Sequence, residues 1–189
     1  MKIFAMIPAR KGSKRLPHKN TLKINNKTLI DYAIDQAMGS AYIDKIIVSS
    51  DDDLVKEITD GYKDKKILFK KRPKRLCKDD VSQEGVIRDL ENRYSFDILV
   101  LLQPTSPIRE TYDIDRCIKF LLEGNFDSIV TVCRKIDYLF FPNGNIYACK
   151  RGKSLFNNNM ACLVLDDEKS IDIDTRLDLR MAKFVLEKK

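Results

Sequence analysis

The sequence has a single histidine, His18, no C-x-x-C pair and no apolar stretch longer than a strand. The lone histidine has no obvious serine or cysteine partner, which removes the nucleophilic triads, because those need an imidazole beside the attacking group. His18 is therefore given no catalytic role. Five cysteines, at positions 77, 117, 133, 149 and 162, are an odd number with no histidine cluster, so neither a disulfide framework nor a structural zinc site is expected. They read as reduced thiols buried in apolar runs. A membrane span needs about 20 apolar residues; runs such as Ile98 to Leu102 are strand-sized, and the first nine residues lead into charged ones without a leader cleavage pattern. The expected setting is the cytoplasm, with no membrane partner.

What is present is the composition of a globular protein, 43% hydrophobic and 33% charged over 189 residues. One domain over residues 1–189 is expected, large enough to bury roughly 70% of the surface of its unfolded chain. The net charge of +7 is concentrated in Lys63, Lys65, Lys66, Lys70, Lys71, Arg72, Lys74, Arg75 and Lys78. Such a stretch is either a solvated surface or an aid to an anionic ligand. No aromatic residues are interleaved for base stacking and no helix-turn-helix or zinc pattern accompanies it, so no nucleic-acid partner is expected.

Short apolar runs alternate with helical patterns, the mark of βαβ units around a mainly parallel sheet in an α/β fold. The spacing predicts strands over Lys2–Ile7, Lys45–Ser49, Ile67–Phe69, Asp97–Leu102 and Ser128–Cys133. Helices are predicted over Leu29–Met38, Leu54–Asp60, Ser82–Tyr94 and Asp113–Leu122, with Ser82 and Thr111 as N-caps. Beyond Cys133 the rhythm breaks. Asn143-Gly144 is a hairpin signal ahead of a short strand Ile146–Cys149, Asn157 to Asn159 mark a loop, Ala161–Leu165 reads as a strand, and Leu177–Leu186 as a closing amphipathic helix.

Ligands of open α/β sheets bind beyond the carboxyl ends of strands, so the loops after strands carry the chemistry. Ile7–Asn20 holds five basic residues, Arg10, Lys11, Lys14, Arg15 and Lys19, with one glycine, Gly12, which suits a polyphosphate without being a Walker A or dinucleotide loop. In the stretch from Lys71 to Ser82, Pro73 holds Arg72 extended and aims it. Leu101–Arg109 offers Gln103, Thr105, Ser106 and Arg109 as donors for a carboxylate or phosphate, on a turn stiffened by two prolines. In Ser170–Thr175, an extended backbone would put Asp172 and Asp174 on one face, fit for a hard cation such as Mg²⁺; the other reading is that Asp174 or Thr175 caps the last helix.

These four strings, "IPARKGSKRLPHKN", "KRPKRLCKDD", "LLQPTSPIR" and "SIDIDT", occur in the order found in the acylneuraminate (sialic acid) cytidylyltransferases, which the chain resembles over nearly its whole length. The resemblance implies a Rossmann-like three-layer nucleotidyltransferase fold with a mainly parallel central sheet. It implies that Ala9, Arg10, Gly12, Ser13, Lys14, Lys19, Asn20, Arg72, Val81 and Ser82 hold CTP, the last three reading cytosine. Gln103, Thr105, Ser106 and Arg109 would face an acidic acceptor, and Asp172 and Asp174 would bind Mg²⁺. Arg10, Lys19 and Asp174 are the implied catalytic groups. The implied reaction is attack of an acceptor oxygen on the α-phosphorus of CTP with loss of pyrophosphate, the acceptor being a sialate-like nonulosonate or related 2-keto sugar acid. One departure is plain: where members of that family carry an additional segment, only Arg134 to Pro142 remain before "NGNIY", a reduced β-hairpin lobe. The lost segment builds part of the sugar pocket and the homodimer arm in that family. Its shortening weakens the implied homodimer and leaves a phosphate or phosphonate monoester as an alternative acceptor, with a non-enzymatic nucleotide or RNA binder as a third reading.

Overall fold

The computed structural model describes residues 1–78, 80–136 and 139–188. Its strands are β1 (Ile3–Pro8), β2 (Lys23–Ile24), β3 (Lys27–Thr28), β4 (Lys45–Ser50), β5 (Ile67–Lys71), β6 (Ile98–Leu102), β7 (Ser128–Ile136), β8 (Leu139–Lys150) and β9 (Met160–Val164). Among the described residues five α-helices accompany them: α1 (Leu29–Gly39), α2 (Asp53–Gly61), α3 (Gln83–Glu91), α4 (Thr111–Glu123) and α5 (Arg176–Glu187). Every predicted helix and strand is present within about three residues of its expected ends except Ile146–Cys149, which is the last part of the longer β8.

Seven strands form one sheet in the order β5-β4-β1-β6-β8-β7-β9, and β2 and β3 form a separate small hairpin. β1 pairs in parallel with β4 and β6, and β8 is antiparallel to both β6 and β7. After β1 the chain builds outward through β4 and β5, then crosses back to place β6 on the other side of β1. That reversal opens a crevice at the carboxyl ends of β1 and β6, where the two most unusual loops begin.

The near-continuous apolar sequence of β1 follows from burial on both faces. Ile3, Ala5 and Ile7 meet Ile30, Ala33 and Ile34 of α1 and Ile114, Cys117 and Ile118 of α4. Phe4 and Met6 point the other way, toward Val86, Ile87 and Leu90 of α3. The result is a three-layer arrangement, with α5 packed through Ala182 on a third cluster containing Leu16, Ile24, Leu29, Ile108 and Ile173. That cluster draws the last helix against the loop after β1.

Three expectations need correction. Asn143-Gly144 makes no hairpin turn; it lies within β8, where Val130 pairs with Tyr147 and Val132 with Pro142, so residues 143–146 stand opposite Thr131 alone. Gly144 has φ +75°, a value glycine adopts without a Cβ penalty, and the strand bulges there. The Thr131 hydroxyl closes the bulge by donating to Asn143 Oδ1 at 2.7 Å and accepting from the Ile146 N–H at 2.9 Å. The hairpin lobe is the β7–β8 pair, whose outermost register is Ile136 with Leu139. Second, Glu110 caps α4 in place of Thr111, its N–H donating to Asp113 Oδ2 at 2.8 Å. Third, all five thiols are free but only Cys117, Cys133 and Cys149 are buried; Cys162 is exposed on the edge strand β9.

Candidate active site

At the switch point lies a cleft of 410 Å³ walled by Pro8, Arg10, Ser13, Lys14, Arg15, Lys19, Asn20, Arg72, Gln83, Gln103, Pro104, Thr105, Asp172 and Asp174. All four loops singled out in the sequence contribute to it. Five cations face two carboxylates, a formal excess of three positive charges, which suits a polyanion.

The loop after β1 is held in place at several points. The Ala9 N–H donates to the Ser49 carbonyl at 2.9 Å, the Lys11 N–H to Asp51 Oδ1 at 2.8 Å, and Asn20 Nδ2 to the Arg10 carbonyl at 3.0 Å. Leu16 anchors the loop's middle in the cluster under α5. Arg10 Nη1 donates across to the Cys77 carbonyl at 3.3 Å, joining this loop to the one after β5. Gly12 lies away from the wall with open space around it, and Ala9 is buried, serving as backbone acceptor for the Ser50 hydroxyl.

Arg72 is the buried exception in an exposed basic stretch, 6% accessible while Lys71, Lys74, Arg75 and Lys78 are exposed. Its Nη2 donates to the Ser49 carbonyl at 2.9 Å and its Nε to Ser49 Oγ at 3.2 Å. Burial pulls the guanidinium's pKa below its ordinary value. Ser82 caps α3, accepting from the Gly85 N–H at 3.4 Å. Neither Ser82 nor Val81 stands on the cleft wall; Gln83, the first residue of the helix, does. Its buried Oε1 has no hydrogen-bond partner among the described residues.

In the loop after β6, the prolines turn Gln103 and Thr105 to the cleft and Ser106 and Arg109 away from it. Arg109 is 2% accessible, and its three nitrogens donate to Gln36 Oε1 at 2.9 Å and to the carbonyls of Asn145 and Gln103 at 2.7 Å each. Arg109 therefore has its donors committed inside the protein and lies behind the acceptor side of the cleft, bracing the loop against the β8 bulge. Ser106 is fully buried, and its Oγ has no hydrogen-bond partner among the described residues.

The aspartates arrive through a chain of contacts that the sequence alone did not reveal. The Lys169 ammonium bridges Glu110 at 2.9 Å and Asp113 at 2.8 Å, Asn145 Nδ2 donates to the Lys169 carbonyl at 2.6 Å, and the Ile173 N–H donates to the Thr105 carbonyl at 2.8 Å. Ile173 is buried, and the alternation puts Asp172 and Asp174 on the opposite side, toward the cleft. The capping alternative resolves in favour of Thr175, whose hydroxyl accepts from the Asp178 N–H at 3.3 Å while Asp178 Oδ2 accepts the Thr175 N–H at 2.7 Å. Asp174 is thereby left to the cleft, where Lys19 Nζ lies 2.8 Å from Oδ1 and Arg15 Nη2 2.6 Å from Oδ2.

Asp172 is open on its cleft side but crowded elsewhere, a Cβ on Gly144 falling 3.5 Å from its Oδ2. That crowding, the loss of water around the charge, raises its pKa above the ordinary carboxylate value; Thr105 and Lys19 oppose the shift and Asp174 adds to it. Two carboxylates give an all-oxygen donor set. Such a set suits a hard cation of the kind that takes one or two carboxylates and fills its shell with water and ligand phosphate; among the described residues no group of three His, Cys, Asp or Glu side chains converges.

Arg15, Gln83, Pro8 and Pro104 are wall residues that the sequence did not single out as binding residues. Arg15 was visible as one of five basic residues in its loop; for Gln83 the only signal was its place next to an N-cap.

A switch-point cleft on a mainly parallel sheet defines an open α/β protein of the ligand-binding kind. A family model described as cytidylyltransferase matches residues 4–177, and the chain belongs to that family. The N-acylneuraminate cytidylyltransferase of Escherichia coli O18:K1:H7 (strain RS218 / NMEC) is 30% identical, the match covering 100% of this chain and 53% of that protein. The pseudaminic acid cytidylyltransferase of Campylobacter jejuni subsp. jejuni serotype O:2 is 34% identical over 89% of this chain and 69% of its own length. The chain thus spans about half the length of several curated relatives it matches. Among solved structures, a CMP:2-keto-3-deoxy-manno-octonic acid synthetase complexed with CTP shares the nucleotidyltransferase fold, with a TM-score of 0.78 at 16% identity over 100% of this chain and 99% of that one. No helix among the described residues is long and apolar enough to cross a membrane.

Proposed function

We propose that the chain acts as one cytidylyltransferase domain over residues 1–189, transferring CMP from CTP to a sialate-like nonulosonate or related 2-keto sugar acid. The observation that carries this reading is the meeting, in one cleft, of the cationic loop after β1, the buried Arg72 and the Asp172–Asp174 pair. The names of the relatives support the choice of acceptor class.

In this reading Arg10, Lys14 and Lys19 neutralise the phosphates, with the loop's backbone N–H groups near Ser13 assisting. Arg72, rigidly held on Ser49, presents its free edge to the base, with Asn20 on the ribose side and the start of α3 beside it. Gln103 and Thr105 face the acceptor. An acceptor hydroxyl oxygen forms a bond to the α-phosphorus, the bond from that phosphorus to the bridging oxygen breaks, pyrophosphate leaves, and the hydroxyl proton passes to water. Asp172 and Asp174 would hold Mg²⁺, which when bound stabilises the negative charge on the reacting phosphoryl group. The protein's own contribution is placement: the Ile173–Thr105 bond sets the aspartates at a fixed distance from the acceptor loop. Free thiols at all five cysteines suit the reducing cytoplasm.

The test is pyrophosphate release from CTP and Mg²⁺ with a panel of acceptors: nonulosonic acids, ketodeoxyoctonate, and phosphate and phosphonate monoesters. Turnover with a sugar acid is the expected result. Turnover with a monoester alone would replace the acceptor class, and RNA binding with no pyrophosphate release from any acceptor would overturn the enzyme reading.

A further inference from the structure

Both oxygens of the Asp174 carboxylate are covered by cations from the loop after β1, Arg15 on one and Lys19 on the other. The two differ in setting: the Lys19 side chain is 17% exposed, that of Arg15 70%. Arg15 approaches from the mouth of the cleft and has room to leave; Lys19 is part of its floor.

We infer that Arg15 is a removable counter-ion of Asp174, occupying the carboxylate until the phosphates of an incoming nucleotide draw the guanidinium away, so that nucleotide and divalent cation favour each other's binding. The inference rests on the reading of Asp174 as a metal ligand given above. A guanidinium on a carboxylate oxygen occupies one of its lone-pair directions and repels a second cation with its charge, so a metal binds the carboxylate more tightly once that contact breaks. Phosphate oxygens compete for the same planar donors, which they match in geometry. Each ligand therefore removes part of the other's cost, and such coupling is reciprocal. An ion pair this exposed is a weak one, so the effect of Arg15 on metal affinity is roughly threefold to fivefold rather than orders of magnitude.

The probe is Mn²⁺ alone, its free concentration followed by electron paramagnetic resonance with nucleotide-free protein at low salt. Arg15→Gln is expected to tighten Mn²⁺ binding about threefold or more and Arg15→Lys to restore weaker binding. Lys11→Gln removes the same charge from the same loop at a position off the cleft wall, and is expected to change the affinity less than about twofold. Arg15 is mostly exposed, so a melting curve suffices to confirm that the variant folds. Unchanged affinity in Arg15→Gln, or an equal gain in Lys11→Gln, overturns the counter-ion role. Asp174→Asn separates the two levels: if it weakens Mn²⁺ binding while Arg15→Gln has no effect, the metal assignment stands and the counter-ion role alone is lost. If Asp174→Asn binds Mn²⁺ as wild type does, both fall.

Discussion

Lys19 Nζ and Asp174 Oδ1 lie 2.8 Å apart although 155 positions separate them in the chain. Their contact joins the loop after the first strand to the segment before the last helix, and it closes the cleft between the two ends of the sequence. Lys19 sits in a short 3-10 turn, Lys19–Thr21, preceded by His18 with φ 55°. That left-handed residue swings the turn inward, and the packing of Leu16 against Ile173 and Ala182 keeps the two segments together.

Asp174→Asn is expected to lower the rate of pyrophosphate release by at least about 10²-fold, the scale of losing one preorganised electrostatic group. The melting temperature should change little, because Thr175 and Asp178 cap α5 without it. A rate within tenfold of wild type would remove Asp174 from the chemistry.

Arg72→Ala should abolish the excess thermal stabilisation by CTP over UTP and GTP, each measured at the same concentration. The burial of Arg72 adds a second expectation: loss of its bonds to Ser49 should destabilise the free protein by about 1–3 kcal/mol. Equal shifts with every nucleotide in the wild type would dissociate Arg72 from base selection.

Asp172→Asn should raise the melting temperature of the nucleotide-free protein at pH 7. A carboxyl with a raised folded pKa favours folding fully below its unfolded value, near about 4, and loses that contribution as pH rises through the higher folded value. The asparagine cannot ionise, so its advantage at pH 7 should vanish in melts at about pH 4. An unchanged or lower melting temperature at pH 7 would contradict the crowding seen around Asp172.

Arg109→Leu should cost about 1–3 kcal/mol in denaturant unfolding, because it leaves the Asn145 carbonyl unpaired in the interior and takes the donor from the half-buried Gln36 side chain and Gln103 carbonyl. Arg15→Leu, at the cleft mouth, should cost less than about 1 kcal/mol. Similar costs for the two would mean that the buried brace carries no more stability than a surface pair.

Much of the architecture could be read in advance because its signals are local. The stripe Leu29, Ile30, Ala33, Ile34, Ala37 and Met38 is a helix face whichever sheet it meets; the first five are buried in α1 and Met38 is half-buried against the same core. The "SIDIDT" alternation puts two aspartates on one face of an extended segment whatever that segment packs against. Asn143-Gly144 shows where such reading failed: the dipeptide demands a positive φ, which Gly144 has, but a bulge satisfies that demand as well as a turn does. The β2–β3 hairpin was missed for a related reason, since its strands are two residues each and only Asn25 and Asn26, with φ 48° and 66°, marked it.

The site divides in the same way. Charge and loop stiffness are properties of short segments, so residue types alone bring forward the basic loop after β1, Arg72, Gln103, Thr105, Asp172 and Asp174, while Asn20 and the choice of Arg10, Lys14 and Lys19 within the loop come from the resemblance to the family. Which donors reach the cleft depends on who else competes for them. Arg109 and Ser106 look as available in the sequence as Gln103 and Thr105 do, yet the Asn145 carbonyl of a bulged strand, the Gln103 carbonyl and the half-buried Gln36 side chain take up the arginine, and Arg15, unremarkable among its basic neighbours, reaches Asp174. Such competition is settled by distances between segments far apart in the chain, and no window of neighbouring residues contains them.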